Sequence, residues 1–138
     1  MNFSSLFLPV LTQITLTLVM FIILGLRKGR AIKAGGVDRN KAALDNSAWP
    51  EDVVKVSNNI ANQFQLPNLF YVLCLFFYIT NSVSSVVLVL AWIYALCRIV
   101  HAYIHINSNY VPARYRVFLI SCVTLIVMTA LAFASLAK

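Results

Sequence analysis

Four side chains capable of chemistry recur on a helical interval in the sequence. Tyr94, Arg98, His101 and His105 are separated by 4, 3 and 4 residues, the spacing at which residues of an α-helix share one face. A second set upstream, Lys55, Asn58, Asn62 and Gln65, follows a 3, 4, 3 spacing. Facing one another, the two stripes would line a wet, polar pocket in which a guanidinium, a phenol and two imidazoles meet neutral amides. All four acids, Asp38, Asp45, Glu51 and Asp52, lie outside these stripes. Arg98 therefore has no matching carboxylate, and a cation of that kind invites an anionic ligand or a lipid headgroup. The structural alternative ties Arg98 to amide oxygens of Asn62 or Gln65, so that the stripes hold helices together. His101 and His105 stand at the i, i+4 spacing of a metal pair, but no carboxylate or cysteine falls where it would complete a site, and no metal is expected. A Ser-His-Asp arrangement fails for the same reason: no acid is available to orient a histidine.

The elements that carry these residues follow from composition. Of 138 residues, 61% are hydrophobic and 11% charged, with a mean hydropathy of +0.83. Soluble domains are nearer half apolar and a quarter charged, and a globule this small could not hide the excess. Lipid is the implied solvent. About 20 apolar residues span a bilayer as a helix, and four segments reach that length: 5–26, 53–80, 84–106 and 115–137, with a basic loop at 27–52. The first run is too long for a signal peptide and ends in a basic cluster, so it reads as a retained helix. The second measures about 42 Å at the helical rise, longer than a hydrocarbon core of about 30 Å, so its polar first turns should stand among headgroups and Pro67 should kink it.

The 11 Lys and Arg against 4 acids give a net charge of +7, and six of the cations lie between Arg27 and Lys41. With Arg114 and Arg116 before the fourth span and no charge in the turn near Asn81, the positive-inside rule makes both basic loops cytoplasmic and both termini external. The charge thus sets orientation, with attraction to anionic lipid as a secondary effect. Nucleic-acid binding is excluded, since no basic stripe with interleaved aromatics appears on a soluble surface. Cys74, Cys97 and Cys122 fall one to a span, in a pattern that fits neither a disulfide framework nor a zinc site. The fold class is an all-α integral membrane protein, a single domain over 1–138 built as an antiparallel four-helix bundle.

The stretch Asn62-Gln-Phe-Gln65-Leu-Pro67, with the run Arg98-Ile-Val-His101-Ala-Tyr-Ile-His105 and Arg114 sixteen residues after Arg98, resembles the MAPEG family, membrane-associated proteins in eicosanoid and glutathione metabolism. The resemblance is to a bacterial-type member, in an inner membrane, and covers essentially the whole chain. It implies a homotrimer with glutathione held near the cytoplasmic face between subunits. Asn58, Asn62, Gln65, Tyr94, Arg98, His101 and His105 would then form the ligand-binding set. Arg114 would stabilise the thiolate, with Arg116 the second candidate for that catalytic role. Two positions depart from the family signature: Asn58 stands where it has Arg, and Gln65 where it has Glu. Losing a charge-assisted contact at each end of glutathione weakens its grip, by about 1.5 to 3 kcal/mol per contact. Two readings stay open, a glutathione-dependent transferase or peroxidase acting on hydrophobic electrophiles, and a non-catalytic membrane subunit or lipid-binding scaffold within a larger complex.

Overall fold

A computed structural model describes residues 3–137. Four stretches are long and apolar enough to cross a membrane: Ser4–Ala34, Glu51–Ile79, Ser85–Ile106 and Val111–Leu136. After a 3-10 turn at Phe3–Leu6, helix α1 runs over Phe7–Ala34, the short α2 over Arg39–Ala42, α3 over Glu51–Gln63, α4 over Leu66–Ile79, α5 over Ser85–Ile106 and α6 over Val111–Leu136. Helix α5 packs along α6 on one side and α1 on the other, α3 lies against α1 and α5, and α4 lies against α6. Large side chains such as Leu18, Ile22, Val72, Ile79, Ile126 and Phe133 face outward, which suits a chain whose surroundings are acyl chains.

Helix α1 outlasts its apolar run. The expected loop at 27–52 begins instead with more helix, because Arg27, Lys28, Arg30 and Lys33 are good helix formers in water. Gly35, at φ 74°, ends the helix with its N–H on the Ile32 carbonyl. The connection back is ordered by its own acids. Asp38 accepts from the N–H groups of Asn40 and Lys41 to start α2, and Asp45 accepts from the Ser47 N–H at 2.8 Å; hydrogen bonding from the Ser47 side chain, and then from its N–H, holds the Asp45 carboxyl below the usual carboxylate pKa. Trp49 donates its indole N–H to the Ala42 carbonyl and lies under the Lys28 ammonium. Arg27 fastens this end of the bundle, donating to the main-chain oxygens of Asp52 and Ile106.

The second span is two helices, where one kinked helix was expected. Pro67 has no N–H to offer the Gln63 carbonyl, and Phe64 and Gln65 close α3 with tightened turns onto Ala61 and Asn62. The fourth helix begins at Val111, before the expected 115, with Pro112 in its first turn, where a missing N–H costs nothing. At the opposite end, Asn81 takes φ 52° in the tight turn after α4, and Ser84 caps α5 through the Val87 N–H.

The interior is layered. Near the Asn81 turn, Phe70, Cys74, Phe77, Val87, Ala91, Tyr94 and Met128 form an apolar core, with the Phe70 and Tyr94 rings stacked 4.4 Å apart. Near the basic end, Met20, Val56, Ile60, Ala102 and Ile106 form a smaller one. Gln13, Asn59, Gln63, Arg98, His101 and His105 are buried as well, at 4% exposure or less.

Candidate functional site

The break after α3 creates the first element of the site. A helix that stops in mid-bundle leaves carbonyls without intrahelical partners and the negative end of its dipole inside the protein. Arg98, 1% exposed, answers this: its Nη2 donates to the main-chain oxygen of Asn62 at 3.2 Å. The expectation that side-chain amides would hold this guanidinium is thus met by the backbone instead. Its Nε has no protein partner. The Tyr94 hydroxyl, one turn away on α5 and fully buried, likewise has none.

Next to Arg98 runs a chain of amides. Gln13 on α1 donates to the Gln63 side chain at 2.7 Å, Gln63 donates to Asn59 at 3.1 Å, and the Asn59 amide meets Nδ1 of His105 at 3.4 Å. Asn62 approaches the same Nδ1 at 3.5 Å. In this arrangement the amide NH2 groups of Asn59 and Asn62 face Nδ1 of His105.

Beyond this layer a cavity of about 230 Å³ opens between the end of α3, α5 and the first turns of α6, lined by Asn62, Gln65, His101, Val111, Arg114, Tyr115 and Phe118. His101 is 4% exposed, with its ring near those of His105 (5.7 Å) and Phe118 (6.3 Å) and its Nδ1 without a protein partner. Arg114 is half-buried and oriented by a hydrogen bond to the Asn109 side chain. The N-terminus of α6 adds the positive end of a 26-residue helix to the cation already there.

Of the ligand-binding set read from sequence, the cavity therefore gathers Asn62, Gln65 and His101, and of the two catalytic candidates it takes Arg114. Arg98 and His105 stand behind the wall and Tyr94 deeper still, within the apolar core. All four residues of the α5 face are buried, as their spacing implies. Asn58 points away, exposed and in contact with the Asn46 side chain at 3.5 Å, while Lys55 pairs with Glu51 at 2.7 Å. Arg116 is exposed and does not line the cavity. Missing from the sequence reading of the site were Gln13, Asn59 and Gln63 within the bundle and Val111 and Tyr115 on the cavity wall. Asn59 and Gln63 do stand at i, i+4, and Gln13 is an amide in an otherwise apolar run, a signal that was available.

No curated protein and no solved structure matches the chain. A family model, that of the MAPEG family, matches residues 5–134. Four spanning helices, an apolar exterior and a match over nearly the whole chain make this integral, multi-pass membrane protein a member of the MAPEG family.

Proposed function

We propose that the protein is a glutathione-dependent transferase or peroxidase acting on hydrophobic electrophiles, with the cavity at the start of α6 as its thiol site and Arg114 as the residue that stabilises the thiolate. The observation that carries this reading is the convergence of Arg114, His101 and Asn62 on one cavity at the positive end of α6. A cation beside a bound thiol lowers its pKa and raises the fraction of nucleophilic thiolate, which is the essential chemistry of such an enzyme. Arg114 is held by a neutral amide, so its charge is left for a ligand. One helical turn deeper along α6 lies an apolar groove of about 290 Å³ lined by Leu66, Leu69, Cys122, Leu125, Ile126 and Thr129, whose apolar lining suits a hydrophobic co-substrate. The cavity is smaller than the roughly 300 to 1,000 Å³ of most ligand pockets. It leaves room for a neighbouring copy to complete the site, in the homotrimer that the family resemblance implies. The basic loops would face the cytoplasm and the termini the outside of a bacterial inner membrane.

Purified protein with glutathione and an aromatic electrophile or a lipid hydroperoxide tests this. Turnover should fall at least tenfold in Arg114→Ala while the oligomer and helicity persist. Absence of turnover across a range of electrophiles overturns the reading.

The rival reading is a non-catalytic subunit or lipid-binding scaffold of a larger complex. It is favoured by the outward Asn58 and by Arg98, whose guanidinium already serves the end of α3. Purification in mild detergent separates the two, since a stoichiometric partner protein supports the rival and a lone trimer with bound glutathione opposes it.

A further inference from the structure

Positive charge is left over at the basic end of the bundle. Of the six cations between Arg27 and Lys41, two are engaged: Arg27 donates to the main-chain oxygens of Asp52 and Ile106, and the Lys28 ammonium lies over the Trp49 ring. Arg30, Lys33, Arg39 and Lys41 are exposed, and none of them pairs with an acid among the described residues. The acids nearby are committed elsewhere. Asp38 and Asp45 accept backbone N–H groups within the connection, and Glu51 pairs with Lys55. A second copy of the chain would bring the same four acids, three of them engaged in the same way, so self-association offers these cations little counter-charge.

Contacts set the depth of this surface. Leu26 ends the apolar run on α1, and the next residue, Arg27, ties α1 to the start of α3 and the end of α5. Lys28 covers Trp49, and Trp49 donates to the carbonyl of Ala42, the last residue of α2. Helix α2 therefore lies beside the first turn of α1 beyond the lipid, at the level of the headgroups, where an indole also prefers to sit. Arg30 and Lys33 stand about 6 and 10 Å above Leu26 along the helix, within screening distance of a charged surface. Leu44, two residues after α2, is 94% exposed in a connection that is otherwise mostly polar. In water that side chain gains nothing, whereas at headgroup level it reaches the acyl boundary.

We propose that this connection is a lipid-recognition element, in which Arg30, Lys33, Arg39 and Lys41 hold the phosphate headgroups of anionic phospholipids and Leu44 anchors it in the acyl boundary of the same leaflet. Positive charge that only directs insertion has no further role once the helices span, whereas a lipid site selects its neighbours at equilibrium. Its operation does not depend on the thiol cavity.

Trp49 reports on this element, because Trp92→Phe leaves it the only tryptophan. Its fluorescence in phosphatidylcholine vesicles is followed with a minor fraction of lipid brominated near the top of the acyl chains, either phosphatidylglycerol or phosphatidylcholine brominated at the same carbons. At low salt, phosphatidylglycerol should be enriched about three- to tenfold around Trp49, and the enrichment should fade as salt is raised. Replacing Arg30, Lys33, Arg39 and Lys41 together by Gln should abolish the preference, whereas Lys55→Gln, which removes a cation already paired, should leave it in place. Should the fourfold variant fail to insert, Arg39→Gln with Lys41→Gln, outside the spanning helices, should lower the enrichment about twofold or more. Leu44→Ser should weaken quenching by both lipids alike, and unchanged quenching in that variant overturns the anchor. Equal quenching by the two lipids at low salt, or a preference that survives the fourfold substitution, overturns the lipid assignment and leaves these cations to an acidic soluble partner.

Discussion

Near the Asn81 turn, α4, α5 and α6 meet through apolar side chains, Phe70, Cys74, Phe77, Tyr94 and Met128, whose complementary shapes pack them together. Around the end of α3, the helices α1, α3 and α5 meet instead through Gln13, Gln63, Asn59, His105 and Arg98, each buried and each bonded to the next or to a freed carbonyl. Lipid offers no hydrophobic drive between helices, so packing alone must hold the first region. The second is held by donors and acceptors that have nowhere else to go. The difference tells where function can reside. The hydrogen-bonded layer holds polar groups oriented toward a gap, and the cavity that gathers Asn62, His101 and Arg114 lies on that side of the bundle.

Truncation separates the two regions. Phe70→Ala removes a fully buried ring stacked on Tyr94 and should cost about 3 kcal/mol, the lower end of the Phe→Ala range, since lipid supplies no transfer free energy. Reversible unfolding in mixed micelles measures it; a cost below 1 kcal/mol would mean that the apolar region does not hold the bundle. Gln63→Leu breaks the amide chain at its centre, leaving the Gln13 NH2 and the Asn59 oxygen without partners, at an expected cost of about 1 to 2 kcal/mol. Adding Gln13→Leu should recover part of that loss, because the pair acts as a unit. Strict additivity in the same unfolding assay would show that the chain is not cooperative. Ser84→Ala, which removes the cap of α5 at the apolar end, should cost about 0.5 to 1 kcal/mol and leave ligand binding unchanged.

The fold was largely legible. Long apolar runs with polar flanks forecast four spans, and the 4, 3, 4 spacing on α5 forecast one buried face. What failed is informative. Hydropathy measures the thickness of lipid to be crossed, not the length of the helix that crosses it, so α1 continued to Ala34 on residues that favour helix in water. Pro67 announced a bend; the structure has a break at Phe64 and Gln65, where the Asn62 carbonyl accepts from Gln65 and also from Arg98. The polar stripe on α3 was misassigned in part. The inward face was marked by Val53, Val56 and Ile60, whose spacing carries Asn59 and Gln63 inward with them and leaves Asn58 outside.

The sequence alone determined that this chain lives in lipid, how many times it crosses, and which residues would be too costly to expose there, because those properties depend on composition and on short-range periodicity. Only the tertiary structure decided which of those residues share a cavity. Arg98 and His105 look like ligand contacts on a helical projection, yet one closes the end of α3 and the other meets buried amides. Arg114, which the family resemblance rather than helical spacing pointed to, stands in the cavity. A buried polar group bonds to whatever partner the packing brings within about 3 Å, and that partner sits on another helix, many residues away in the chain.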